Sequence, residues 1–321
     1  IYYLVLYSLS KYKDDSLLIT VKNLLLTIKY LNFMKIQNKI ENFFSIVFSE
    51  KIIKIVEKYI LYLASIGFVV HLSLIFLNNY NLIDLAIIQS NLLSNPISAL
   101  YTPFSFILVY EAFLLIYYIP RSFTTAVGKQ YEIISLIVIR KIFGDIPLID
   151  LNANWVENPN NLQLIYDLVG ILVIFFLIYL FRRTKENLPV KSVSEKLDRF
   201  IASKKLVSIV LLPILLVTVF ISFFSWYNGV FINESFDVNI NYLFFNEFFT
   251  LLILVDVFIL LLSFQYTERY SQLIRNTGFI ISTILLRLSF SATGLANITL
   301  IISGIVFGLL ILMIYNLIEK E

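Results

Sequence analysis

The stretch YEIISLIVIRKIFGDIPL, residues 131–148, decides how many times this chain crosses a membrane. It is apolar over most of its length, yet Arg140 and Lys141 stand near its middle. It is either an amphipathic helix lying on a surface or a helix that crosses the bilayer with its arginine turned inward. The flanking charges arbitrate, because cytoplasmic loops of membrane proteins keep Lys and Arg. Lys51, Lys54 and Lys58 place the start of the first apolar span, Tyr59–Leu77, inside. Leu100–Ile119 brings the chain back, and Arg121 and Lys129 follow it. Arg182, Arg183, Lys185, Lys191, Lys196, Arg199, Lys204 and Lys205 follow the next span, Leu164–Phe181. If 131–148 stayed out of the bilayer, those eight bases would lie outside. If it crosses, they lie inside, and 145–161, with three acids and no base, lies outside. Segments 79–98, 149–163 and 228–242 also lack Lys and Arg, so the crossing reading is the consistent one.

Composition sets the class. The chain is 59% hydrophobic and 15% charged, with a mean hydropathy of +0.84. Its apolar runs of about twenty residues match a ~30 Å hydrocarbon core crossed by helices, which alone satisfy their backbone there without closing a barrel. Further spans are Leu206–Trp226, Leu243–Phe264 and the long run 278–316. Thr293-Gly294 divides that run into Gly278–Ala292 and Leu295–Asn316. The first piece is short, which leaves a re-entrant hairpin open beside a full crossing. The fold expected is therefore all-α: a polytopic membrane protein with about eight transmembrane helices and both termini cytoplasmic. Tyr59, Tyr80, Tyr101, Tyr118, Trp155, Trp226, Tyr242 and Tyr266 mark the span boundaries as aromatic belts do. Asn81–Ser94 reads as an interfacial helix, and Pro213 as a kink site in the fifth span.

Four regions follow. Residues 1–56 are an N-terminal extension with a cytoplasmic amphipathic segment. Residues 57–181 are a first four-helix bundle, 182–205 a basic linker, and 206–321 a second four-helix bundle. Residues 1–33 precede the first methionine, Met34, and read as an upstream extension or a fragment edge.

The two halves echo one another. Glu111 sits near the middle of the second span and Asp256 in the corresponding span of the second half. Arg140 and Arg287 follow them at spacings of 29 and 31 residues. A charge left unpaired near mid-bilayer costs roughly 2.5–3.5 kcal/mol on insertion scales. Contacts Glu111–Arg140 and Asp256–Arg287 are therefore expected within each half. An even number of helices per half makes such a duplication parallel, about an axis along the membrane normal. Thr283, Arg287 and Ser291 share one helical stripe, Asp256 and Ser263 another. Asn297 joins Gly304 and Gly308 on the last span, where the small-xxx-small spacing allows close helix approach.

Several chemistries are excluded or unsupported. The chain has no Cys and one His, His71, so no thiolate or multi-histidine metal centre can form on it. No nucleotide-binding, zinc-protease or nucleic-acid-reading motif is present, and no cofactor or catalytic residue is assigned. His71 reads as a satisfied polar residue ahead of a proton relay. Asp84, Asp150, Glu157, Glu234 and Asp237 read as outer-loop decoration, and Lys141 is expected to snorkel toward the outer surface.

At YTPFSFILVYEAFLLIYYIPRSFTTAVGKQYEIISLIVIRKIFGDI, residues 101–146, the chain resembles bacterial multi-pass integral membrane proteins to which no activity is assigned. The resemblance implies a bacterial inner (plasma) membrane and nothing catalytic. A looser likeness is to voltage-sensor bundles, but Leu164–Phe181 lacks arginines at every third position, and no filter sequence follows the fifth span. Three functions remain beside an intramembrane enzyme, which would need more convergent polar residues than the sequence offers. The leading one is a transporter- or channel-like protein in which Glu111/Arg140 and Asp256/Arg287 gate or couple ions, with an ion or small molecule as substrate. The rival is a non-transporting scaffold or assembly subunit whose pairs are structural. A voltage-sensor-like protein is a minority reading. A water-accessible cavity reaching the four residues favours the first; a dry bundle favours the scaffold. The lipid bilayer is the expected partner in each case, and nucleic acid in none.

Overall fold

The computed structural model describes residues 34–80, 96–146, 149–186, 195–231, 240–267, 269–292 and 294–320. The expectations for residues 1–33, Asn81–Ser94, Asp84, Lys191, Glu234, Asp237 and Thr293 lie outside the described residues, as do the side chains of Tyr101, Lys196, Trp226 and Tyr242. The chain divides into two compact units, residues 1–49 and 50–321. In the first, residues 34–47 are helical.

Residues 50–321 contribute eight long helices. They are α1 (Glu50–Asn79), α2 (Tyr101–Tyr118), α3 (Phe123–Asp145), α4 (Pro159–Glu186), α5 (Glu195–Phe231), α6 (Ile240–Tyr266), α7 (Tyr270–Leu288) and α8 (Leu295–Ile318). No strand occurs among the described residues. Among the described residues, seven helices are long and apolar enough to cross a membrane: the one ending at Asn79, and α2, α4, α5, α6, α7 and α8. The exception is α3, which carries Lys129, Glu132, Arg140, Lys141 and Asp145.

Local chemistry sets the helix ends. Ser122 caps α3, its hydroxyl accepting from the Thr125 amide at 3.2 Å, which satisfies one of the first-turn donors. α7 starts at Tyr270, eight residues before the expected Gly278, and a 3-10 turn, Ser289–Ser291, extends it. The resulting 22-residue apolar helix is ~33 Å long. That is enough, by length and composition, to cross a membrane. Gly294 then turns the chain with φ +64 and ψ −148, a conformation nearly confined to glycine. Pro213 lies inside α5, which runs through it for 37 residues. The basic residues expected in a linker partly belong to helices: Arg182, Arg183 and Lys185 end α4, and Arg199, Lys204 and Lys205 open α5.

Packing explains why α3 can be so polar. It lies between α2 and α4 and also touches α7. α8 packs on α7 and α4, α5 on α6 and α2, and α1 mainly on α2. Burial follows this order: half of the apolar window of α7 is buried, against 11% for the helix ending at Asn79. That helix shows Leu63, Ile66, Val70 and Phe76 outward, as a helix facing acyl chains would.

The densest point lies where α3, α4, α7 and α8 meet. Tyr131, Phe181 and Phe279 are fully buried there; Phe181 meets Tyr131 edge-on at 4.9 Å and Phe279 at 6.0 Å. The Tyr131 hydroxyl and Ser282 Oγ lie 2.6 Å apart, and Ser282 donates to the Gly304 carbonyl at 2.7 Å. Gly308 makes room for the phenol, since a Cβ there would overlap the Tyr131 hydroxyl. Gly308→Ala is expected to destabilise the purified protein by ~1–3 kcal/mol, the usual cost of overpacking. Removing the clashing hydroxyl as well, in Gly308→Ala with Tyr131→Phe, should recover part of the loss in a thermal melt. A single variant as stable as the wild type would refute this packing.

Candidate functional site

Each expected acid–arginine pair is in contact. Glu111 of α2 is 2% exposed, and its Oε2 accepts from Arg140 Nη1 of α3 at 2.8 Å. The same Nη1 donates to the Phe104 carbonyl at 3.2 Å, and Phe104 stacks on Phe143 at 5.3 Å beside it. Asp256 of α6 and Arg287 of α7 are 4% and 3% exposed. Asp256 Oδ2 lies 2.5 Å from Arg287 Nη1, and Thr283 donates to that oxygen at 2.8 Å. Arg287 Nη2 also donates to Gln130 Oε1 of α3 at 3.4 Å. The second pair is therefore tied to the first half of the chain and is not confined to its own four helices.

The correspondence between the two pairs is closer in the helices than in the spacings of 29 and 31 residues. Arg140 and Arg287 each stand 17 residues after the first residue of their helices, Phe123 and Tyr270. In each case the acid lies on the preceding helix, across a short connection.

The supporting polar residues divide. Thr283 belongs to the Asp256 pair, as its hydrogen bond shows. Ser263 is fully buried, and its hydroxyl donates to the Leu260 carbonyl of its own helix. Ser291 is exposed at the end of the 3-10 turn. Asn297 is buried, and its amide donates to the Ser289 carbonyl at 2.6 Å, pinning the α7–α8 turn. His71 Nδ1 lies 2.7 Å from Thr102 Oγ1, bridging α1 and α2.

Two polar arrangements escaped the sequence reading. Lys141 does not snorkel outward: its Nζ lies 3.4 Å from Oδ2 of Asp167, a fully buried residue of α4. Gln163 donates to Asp167 Oδ1 at 2.7 Å, and Asp145, one turn beyond Lys141, faces the same group. The signal in the sequence is Asp167, an acid inside the apolar run Leu164–Phe181. Lys204 is the second. It is 3% exposed, donates to the Arg121 carbonyl at 2.5 Å, and sits 4.9 Å over Phe123 and 5.5 Å over Phe200. The end of α2, the start of α3 and the start of α5 are held together by this one side chain and by Ser208, which reaches the Ile116 carbonyl.

Among the described residues no group of three or more His, Cys, Asp or Glu side chains could hold a metal ion. The arrangement sets charge against charge. Its seven membrane-capable helices make this an all-helical multi-pass membrane protein. No protein family, curated protein or solved structure matches the chain.

Removing one partner of a buried pair leaves an uncompensated charge, a loss of ~3–5 kcal/mol, whereas replacing both with apolar groups is often near neutral. Arg140→Leu should accordingly lower the unfolding midpoint of the purified protein sharply. Arg140→Leu with Glu111→Leu should restore most of it. Equal losses in the single and double variants would show that the pair is not the stabilising unit.

Proposed function

We propose that the chain is an eight-helix protein of a bacterial inner membrane, with α3 as the eighth crossing and both termini cytoplasmic. Arg121 and Lys129 at the α2–α3 connection, Arg182–Lys185 and Arg199–Lys205 at the α4 and α5 ends, and Arg269 and Arg275 at the α6–α7 connection all fall on one side in this topology. Two similar halves are supported by the matching positions of Arg140 and Arg287. They are also supported by the packing of α1 to α4 in series, repeated by α5 to α8. The parallel pairing of α3 with α7 and α4 with α8 fits a duplication about an axis along the membrane normal.

Of the functional readings, the geometry favours the scaffold or assembly subunit with structural pairs. The observation that carries it is exclusion from water. Glu111, Asp256 and Arg287 are each less than 5% exposed. A cleft between α3 and α4 and another along α1 are lined by none of the four residues. The transporter- or channel-like reading has its own support in the Lys141 group. There two carboxylates, Asp145 and Asp167, face one ammonium, a negative surplus inside a membrane protein that a proton or cation would balance.

Flux through the full chain in liposomes separates the two. The scaffold reading expects no ion or proton flux above empty vesicles, for the wild type and for Glu111→Gln, Asp256→Asn and Asp167→Asn alike. Flux in the wild type that any of these variants abolishes, with folding intact, would overturn it in favour of ion coupling.

A further inference from the structure

A charged cleft opens where the last turns of α4 pass the first turns of α3. Its volume is about 230 Å³, room for roughly seven waters at ~30 Å³ each. Lys129, Arg182 and Lys185 line it with Glu132 and Glu186, beside Gly128 and Phe181. Three cations meet two carboxylates, so the cleft is net positive. Glu132 is already engaged: Oε2 lies 2.6 Å from Lys129 Nζ, and Oε1 lies 3.9 Å from Arg182 Nε. The second distance is too long for a hydrogen bond. Among the described residues the exposed Arg182 guanidinium therefore keeps donors for an external acceptor, and its fork suits a phosphate.

The surface running from this cleft is apolar. On α4, Leu168, Leu172, Phe175, Tyr179 and Arg182 fall at i, i+4, i+7, i+11 and i+14, one helical face. The first four are exposed hydrophobics. On α3, Leu136 and Phe143 are exposed four and eleven residues beyond Glu132. A greasy face that ends in a cationic cleft has the polarity order of a phospholipid, with acyl chains leading to a phosphate. Basic pockets between membrane helices on the cytoplasmic side hold anionic headgroups in this way.

We propose that the α3–α4 cleft binds the headgroup phosphate of an anionic phospholipid, whose acyl chains lie along the outer face of α3 and α4. This rests on the topology proposed above only for the choice of the inner leaflet. The chain has no Cys, so impermeant labelling of Ser203→Cys tests that topology separately.

The test is binding to the full chain in detergent, counting retained lipid by native mass spectrometry, with phosphatidylglycerol set against phosphatidylcholine. Phosphatidylglycerol should bind preferentially. Arg182→Gln and Lys185→Gln should each weaken it about fivefold, the equivalent of ~1 kcal/mol per cation, while Lys320→Gln should not. Glu132→Gln removes a competing carboxylate and should tighten binding, a gain that misfolding cannot imitate. Equal retention of the two lipids, or no change in either cation variant, would overturn the site. Weaker binding by Glu132→Gln would do the same. Displacement of the lipid by millimolar inorganic phosphate would overturn the lipid as its occupant.

Discussion

Four polar side chains in the middle of α3 find their partners on neighbouring helices. The rest of the bundle is arranged around these contacts. Gln130 meets Arg287 and Tyr131 meets Ser282, both on α7. Arg140 meets Glu111 on α2, and Lys141 meets Asp167 on α4. From Gln130 to Lys141 the helix rises ~16 Å, so these ties run through its middle and address three neighbours. α3 meets the exterior along a narrow strip that includes Leu136 and Phe143. A helix so enclosed has no need of the hydropathy that lipid-facing helices require, which is why composition alone passes over it.

Close packing supplies what the charges cannot. Buried ion pairs contribute little net stability once desolvation is counted, and their strength lies in the cost of separating them. The attraction that brings membrane helices together comes from van der Waals contact between small and large surfaces. At the centre of this bundle Gly304 and Gly308 admit the α7 backbone and the Tyr131 phenol, and Phe181 fills the space beside them. Apolar fit brings the helices close, and the pairs then fix which face of each helix turns inward.

The sequence disclosed the helices and the two acid–arginine pairs because both rest on strong rules: the length needed to cross lipid, and the cost of an unpaired charge within it. It misplaced the start of α7, since Arg275 and Asn276 interrupt the apolar run and hide the helix that begins at Tyr270. The partner of Lys141 stayed hidden for a different reason. Arg140 and Lys141 are adjacent, so their side chains diverge by about 100° and need acids on different helices. Which helices those are depends on tertiary arrangement. The burial of Lys204 has the same origin: in the sequence it is one of eight similar bases, and only the approach of Phe123, Phe200 and the Arg121 carbonyl sets it apart.

The ties on α3 also constrain any motion. Rotating α3 by one residue position, about 100°, would separate its contacts with α2, α4 and α7 together and leave several charges unpaired in a low-dielectric interior. Breaking a buried pair costs ~3–5 kcal/mol, so losing the Arg140 and Lys141 pairs together would be comparable with the ~5–15 kcal/mol by which ordinary domains are stable. A conformational change in this protein would therefore have to carry α2, α3, α4 and α7 as one body. α8 would go with them, since it packs on α4 and α7. The helix least tied to that body is α1, which packs mainly on α2; the α5–α6 pair is held to it at one end by Lys204 and Ser208. α6 is itself bound to the body through Asp256 and Arg287, so of the two acid–arginine pairs only this one lies across a boundary that could open.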